Sequence, residues 1–230
     1  MVAKLLMGQY RHVQKILAGA PPHRAPQIGA AGVDDLIQKM TVTTEEERYH
    51  RDGWVFQMIT WIAANLAEPE LISTPPQSQS AMPGLDNLFV RTRGNQVTQV
   101  IIGEDKATIN ERKTIRALVW PELIQFETGK RDHELLNEIT PLLERHSGEL
   151  DVDKCLVDLL WEQVRAYRVC VTVENPTIEK TRKKLFKGFD KVAIGPTEKR
   201  RAETFVVGAL RPWMDSFCIK IIHALREVYV

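Results

Sequence analysis

Cysteine is scarce in this chain. Cys155, Cys170 and Cys218 are its only three, far apart and without a Cys-x-x-Cys pair. An odd, sparse set argues against a disulfide framework and against a zinc ribbon. Two of them sit between apolar neighbours, in Val169-Cys170-Val171 and Phe217-Cys218-Ile219, which reads as small-residue core packing. Long hydrophobic runs are missing as well. No stretch reaches the ~18 apolar residues that a membrane span needs. Residues Met1 to Met7 hold neither a sustained apolar segment nor a cleavage-like site, so no signal peptide is expected. The expected setting is cytoplasmic, without membrane contact. Excess charge of either sign is also absent: 31 Lys and Arg stand against 30 Asp and Glu, a net +1. No whole-chain field draws nucleic acid, and any such contact must come from local basic clusters.

Several catalytic signatures are lacking. The six histidines, His12, His23, His50, His133, His146 and His223, form no His-x-x-x-His or His-Glu-x-x-His spacing, so a zinc site is not expected. There is no Gly-x-Ser-x-Gly elbow. Gly29-Ala-Ala-Gly32 lacks the Gly-Lys-Ser/Thr end of a phosphate loop, and no strand precedes it. No internal repeat or low-complexity tract occurs.

What remains is ordinary for a folded protein: 43% hydrophobic and 27% charged residues in 230. That length suits one large domain with added helices. We expect an N-terminal helix and linker over 1–42 and a main domain with a C-terminal extension over 43–230. Pro and Gly crowd residues 19–32, which read as a loop. Thr43 or Thr44 before Glu45-Glu46-Glu47 predicts a helix start, running to about Leu66. Val55, Met58, Ile59, Ile62 and Leu66 make its expected core stripe. A second stripe, Glu47, His50, Trp54, Gln57 and Trp61, mixes polar and aromatic groups. Either Trp could stack on a base, though core packing is the plainer role.

Ser73 to Pro83 reads as a polar loop. Asp86 to Val90 predicts a strand, Arg91 to Asn95 a turn whose Gly94 and Asn95 supply positive φ, and Val97 to Gly103 the next strand. Residues 107–167 read as helical. A strand is expected over Tyr167 to Glu174, a helix over Ile178 to Phe189, short strands over Lys191 to Ile194 and Thr204 to Val207, and a closing helix over Trp213 to Val228. Its apolar face (Trp213, Phe217, Ile221, Ile222, Leu225) serves either core or an interface. The pattern predicts an α/β fold with a sheet of mixed direction.

The most specific chemistry lies in Gly84-Leu85-Asp86 and Ile101-Ile102-Gly103-Glu104-Asp105-Lys106. Side chains alternate along a strand, so Glu104 and Lys106 share a face and Asp105 takes the other. If the two strands pair as a hairpin, Asp86 approaches Glu104 at one end of the sheet. Two close carboxylates repel, a divalent cation relieves that repulsion, and Mg²⁺ suits oxygen ligands. Lys106 beside them could steady water or phosphate. The alternative is a surface cross-strand pair of Glu104 and Lys106.

These residues resemble the PD-(D/E)xK nuclease superfamily, with Pro83-Gly-Leu-Asp86 as one half-motif and Glu104-Asp105-Lys106 as the other. The resemblance covers about residues 43–175. It implies a restriction-endonuclease-like core, a mixed β-sheet flanked by helices, here with additional C-terminal helices. It implies that Asp86 and Glu104 bind Mg²⁺ (or Mn²⁺) with the backbone carbonyl of Asp105, and that Lys106 helps activate water. Asp52-Gly53-Trp54-Val55-Phe56-Gln57 is similar to the Gly-x-x-Phe-Glu/Gln helix of several members, which adds Gln57 to the candidate catalytic set. Gln57 departs from the usual Glu, and Glu47 is the other residue on that stripe that could serve. The pattern most resembles effector nucleases of bacterial anti-phage defence, such as those of cyclic-oligonucleotide systems and of Hachiman.

Lys180, Arg182, Lys183 and Lys184, with Lys187, form a basic helix, and Lys199-Arg200-Arg201 follows. These read as a solvated face or as a clamp on a phosphate backbone. The expected function is a Mg²⁺-dependent DNA endonuclease under the control of a protein subunit, a helicase or a sensor. The alternatives are a non-catalytic subunit of the same fold, favoured by Gln57, and a nuclease acting on RNA.

Overall fold

A computed structural model describes residues 1–21, 25–80, 84–146, 148, 150–161, 164–176 and 179–227. His23, Pro83 and the expected element ends at Ile178 and Val228 fall outside them. In chain order, helices α1 (Val2–Leu6), α2 (Tyr10–Leu17), α3 (Ala30–Met40) and α4 (Glu45–Ala67) come first. Strands β1 (Ile72–Ser73), β2 (Asn87–Arg93) and β3 (Gln96–Lys106) follow. Then come α5 (Glu111–Thr114), a π-helical stretch at Ile115–Val119, α6 (Trp120–Glu127), α7 (Asp132–Glu144) and α8 (Val152–Trp161). Strand β4 (Arg165–Val173), α9 (Glu179–Leu185), α10 (Phe189–Val192), a 3-10 turn at Thr197–Lys199, β5 (Arg200–Val206) and α11 (Leu210–Glu227) complete the order.

The chain divides into two compact units: Met1–Pro69 with Pro75–Pro83 and Val207–Val230, and Glu70–Thr74 with Gly84–Val206. The expected boundary at residue 42 lies within the first. Its centre is α4, which starts as the acidic cluster predicts. The Thr44 hydroxyl accepts from the Glu47 amide at 3.2 Å, and the Glu47 carboxylate accepts from the Thr44 amide at 3.0 Å. This capping box satisfies donors that the first turn leaves open.

The helix does not sort into the expected stripes. Trp54, Val55, Phe56, Met58 and Trp61 are all buried, whereas Leu66 is exposed. Their directions cover most of the helix circumference, so a single apolar stripe was the wrong template. Trp54 donates from Nε1 to the Gln77 carbonyl at 2.8 Å. Buried charge is paired here: Arg51 binds Asp52 Oδ1 through Nε (3.0 Å) and Nη2 (2.7 Å) and Asp215 through Nη2 (2.6 Å), Arg211 binds the other Asp52 oxygen, and Arg48 lies 3.6 Å from Asp215. These pairs join α4 to α11, while α1 packs on α2, α4 and α11, and α3 on α11.

The second unit is an α/β body around a mixed five-stranded sheet in the order β1-β2-β3-β4-β5. β1, β2 and β3 run antiparallel, and β3, β4 and β5 run parallel. The parallel connections travel through helices, as they must. Every residue of β4 is buried, the habit of a strand covered on both faces. Leu88, Val90, Val100, Ile102, Tyr167, Val169 and Val171 belong to one core with Ile115, Leu123, Phe126, Leu135 and Ile139.

The hairpin turn is shorter than expected, because Arg91, Thr92 and Arg93 continue β2 and only Gly94 and Asn95 make the turn. Gly94 alone has positive φ, +59°, the requirement of a II′ rather than a I′ turn. Pro121 explains the π-helical stretch before it. It has no amide to donate and its ring crowds the carbonyl four residues back, and a widened turn relieves both. Lys191 to Ile194 is not a strand. Its first half closes α10, where Phe189 and Val192 bury the same side and Phe189 stacks on Trp120 at 4.9 Å. Packing of that single turn overrode a β-branched run. The loop expected over 19–32 ends early because α3 begins at Ala30, and Ser73 joins β1. No helix among the described residues is long and apolar enough to cross a membrane.

Candidate active site

The register of β2 on β3 decides which side chains can meet. Next to the turn, Arg93 pairs with Gln96 and Thr92 with Val97. A bulge follows: Arg91 pairs with Gln99, and Thr98 is left over, its hydroxyl donating to the Arg91 carbonyl at 3.1 Å. The one-residue slip inverts the facing of every later pair. From Asn87 opposite Gly103, one step outward sets Asp86 across from Glu104. Without the bulge, Asp86 would face Gly103 and lie on the other side from Glu104. Gly103 is itself fitted to this crossing. A Cβ there would come within 3.1 Å of the Asn87 Cβ and 3.2 Å of its carbonyl oxygen.

Asp86, Glu104 and Lys106 therefore come together. The Lys106 ammonium lies 2.9 Å from Asp86 Oδ2 and 2.8 Å from Glu104 Oε2. Asp86 Oδ2 also accepts from the Asp105 amide at 2.9 Å, which fixes the carboxylate independently of the lysine. Glu104 is 1% exposed, against 12% for the Asp86 side chain and 20% for that of Lys106. No donor is aligned for a hydrogen bond with either Glu104 oxygen; the Lys106 contact is a close ion pair without hydrogen-bond alignment. Burial raises the Glu104 carboxyl well above the ordinary carboxylate range. The Lys106 charge opposes this, while Asp86 and Glu122 add to it. Burial would lower the Lys106 ammonium, but Glu104 and Asp86 more than reverse that and hold it well above its ordinary value.

The side chain of Asp105 points to the opposite face, where Asn87 donates to Oδ2 and Arg168 Nη1 lies 3.3 Å from Oδ1. Arg168 also binds Glu203 through Nη2 at 2.6 Å. The Asp105 amide, by contrast, donates to Asp86 on the side of the site. Gln57 is half-buried on α4 in the first unit, its carbonyl accepting from Thr60 Oγ1 at 2.9 Å. Glu47 is engaged in the capping box and accepts also from the Thr43 amide and hydroxyl, at 2.8 and 2.9 Å. His50 is near Glu46, 3.9 Å away, and edge-on to Tyr49.

The basic residues behave in two ways. Lys180, Arg182, Lys183 and Lys184 are exposed on α9, and Lys180, Lys183, Lys184 and Lys187 line an open depression with Glu179. Lys183 pairs with Glu179 at 2.7 Å. By contrast, Arg200 donates to the carbonyls of Ala193 and Gly195, and Arg201 pairs with Glu203. Lys199 is buried on Glu127 at 2.8 Å, which corrects its reading as part of a surface run.

One contributor escaped the sequence reading. Glu122, near the start of α6, is held by Arg131 at 2.8 Å, and its charge reaches Glu104. No spacing rule points to it, because only tertiary packing brings α6 within range of β3. Among the described residues no group of three or more Asp, Glu, His or Cys gathers as a ready cage. Asp86 and Glu104 are two oxygen donors, and Mg²⁺ characteristically takes one or two carboxylates and completes its shell with water and phosphate. The unaligned, buried Glu104 oxygens fit that donor set. No protein-family model matches the chain, and no curated protein and no solved structure matches it.

Proposed function

We propose that the chain is a Mg²⁺-dependent endonuclease of the PD-(D/E)xK type, hydrolysing DNA phosphodiester bonds from a restriction-endonuclease-like core. One observation carries this reading: Asp86 and Glu104, from two strands, converge on one lysine while the Glu104 oxygens stay without an aligned donor. A site built only for stability would satisfy that carboxylate. The element order supports it too. A long helix precedes an antiparallel three-strand run, and a helical crossover leads to a parallel strand.

Asp86 and Glu104 would hold the cation, with the Asp105 carbonyl as a further donor. A bound Mg²⁺ supplies Lewis acidity and lowers the pKa of a coordinated water. Lys106, with three N–H donors on a flexible stem, orients the attacking water or a phosphate oxygen. The Asp105 amide keeps Asp86 aimed during this work. The exposed cations of α9 give sequence-independent backbone contact. The setting we propose is a cytoplasmic anti-phage effector restrained by a helicase or sensor subunit, since an unrestrained nuclease would damage its host.

Purified wild type, Glu104→Ala and Lys106→Ala are incubated with plasmid DNA and Mg²⁺. Both variants lose nicking by about 10²-fold or more. Undiminished cleavage by both removes these residues from the mechanism. Gln57, where a Glu is usual, favours a second reading: the same fold as a non-catalytic binding subunit. Calorimetry separates the two. Mg²⁺ or Mn²⁺ heat that disappears in Asp86→Asn supports the enzyme, and no heat in wild type supports the binding subunit.

A further inference from the structure

We propose that Lys106 is a built-in placeholder: its ammonium fills the cation seat between Asp86 and Glu104, and a divalent ion enters only by displacing it. The inference rests on the reading of this group as a metal site and adds how that site is controlled.

Three features carry it. The ammonium touches both carboxylates at once, 2.9 and 2.8 Å away, the bridging position that a shared cation takes. Its hold on Glu104 is charge without alignment, so the lone pairs of the buried carboxylate stay available to a better-directed ligand. Finally, Lys106 is the last residue of β3 and is partly exposed. Its four-carbon stem can swing outward without breaking a strand pairing farther in. Asp86 would stay in place after that swing, because the Asp105 amide holds it.

Electrostatics give the direction. With lysine seated, two carboxylates and one ammonium leave a single negative charge. Remove the ammonium and a dication meets two. A site whose binding-competent form is a minor fraction shows its affinity reduced by that fraction. The placeholder thus weakens metal binding in the resting protein while keeping the carboxylates apart from bare repulsion. Loss of the charge alone also favours a dication, so the outward movement of the Lys106 amine on metal binding is the readout that a lysine acting only in catalysis would not give.

The test is Mn²⁺ titration calorimetry on the full chain, with wild type, Lys106→Met, Lys106→Gln, Lys106→Arg and Asp86→Asn. The two neutral variants should bind Mn²⁺ about tenfold tighter than wild type or better, and Lys106→Arg no tighter. Equal or weaker binding by the neutral variants, with Asp86→Asn silent, overturns the placeholder and leaves the metal site standing. No Mn²⁺ heat in wild type or in either neutral variant removes the metal site and the placeholder together. A wild-type measurement keeps the idea falsifiable if the neutral variants fail to fold. Mn²⁺ should speed acylation of Lys106 by an amine-reactive reagent, read by peptide mass spectrometry, and an unchanged rate overturns the displacement.

Discussion

Two buried charge clusters in this molecule are built on opposite principles. In the first unit, Arg48, Arg51 and Arg211 set three cations against Asp52 and Asp215, with Glu45 also on Arg48, and Arg51 and Arg211 divide the oxygens of the fully buried Asp52 between them. In the second unit, Asp86, Glu104 and Lys106 set two anions against one cation, and the most buried member, Glu104, has no aligned donor. The first is what a fold needs when it buries charge: both oxygens of its most buried carboxylate are held by guanidinium groups. The second is short of one positive charge and of hydrogen bonds, at the end of a sheet where two of its three side chains remain partly open. Structure explains the first. The second is the group we read as a cation seat.

The comparison breaks most visibly at Asp52. Asp52→Ala leaves Arg51 and Arg211 buried or half-buried around an empty place, and loss of one partner from such a pair costs about 3–5 kcal/mol. Urea unfolding followed by tryptophan fluorescence should report it, since Trp54 and Trp61 sit on the same helix. A loss below about 1 kcal/mol would mean that the cluster is no keystone and the contrast is false.

Glu104→Gln should do the reverse, and by less. Its carboxyl is held well above the ordinary value of 4.5, chiefly by burial. A raised folded value means that stability is fully present below the unfolded value and is lost as pH rises through the folded one. Wild type therefore carries a penalty at pH 7 that it does not carry near pH 4. The neutral amide escapes it, so the variant should gain on the order of 1 kcal/mol at pH 7, and that gain should vanish near pH 4. Unfolding midpoints at the two pH values decide. A variant destabilised at pH 7 would make Glu104 as structural as Asp52.

The contrast also shows why one cluster was legible and the other was not. Asp86, Glu104 and Lys106 lie on two strands with a two-residue turn between them, so the period of two and the turn nearly fix their meeting. The remaining step, the bulge at Thr98, was invisible: nothing in Val97-Thr98-Gln99 marks an extra residue, yet without it the carboxylates would part. Asp52 and Arg211 are 159 residues apart, and no local pattern joins them. The same reason hid Glu122. It also misled the reading of α4, where burial on most sides erased the stripe that periodicity looks for, and of Lys191 to Ile194, where contacts to Trp120 outweighed β propensity. The α/β class and the mixed sheet were readable because strand and helix periods alternate along residues 87–206. The division into two interleaved units was not, since residues 75–83 return to the first unit after β1.

The smallest effect on folding belongs to a third kind of charge, the exposed cations of α9. Lys180 and Lys184 are surface residues with nothing buried to lose, so Lys180→Ala and Lys184→Ala should leave the unfolding midpoint where it is. If α9 holds a phosphate backbone, each change instead lowers the slope of log affinity for duplex DNA against log salt by about one, measured by fluorescence anisotropy with catalytically silent Glu104→Gln as the background. The two readouts move independently only if this surface has a function and no structural duty. An unchanged salt slope in both variants returns α9 to the role of a solvated face.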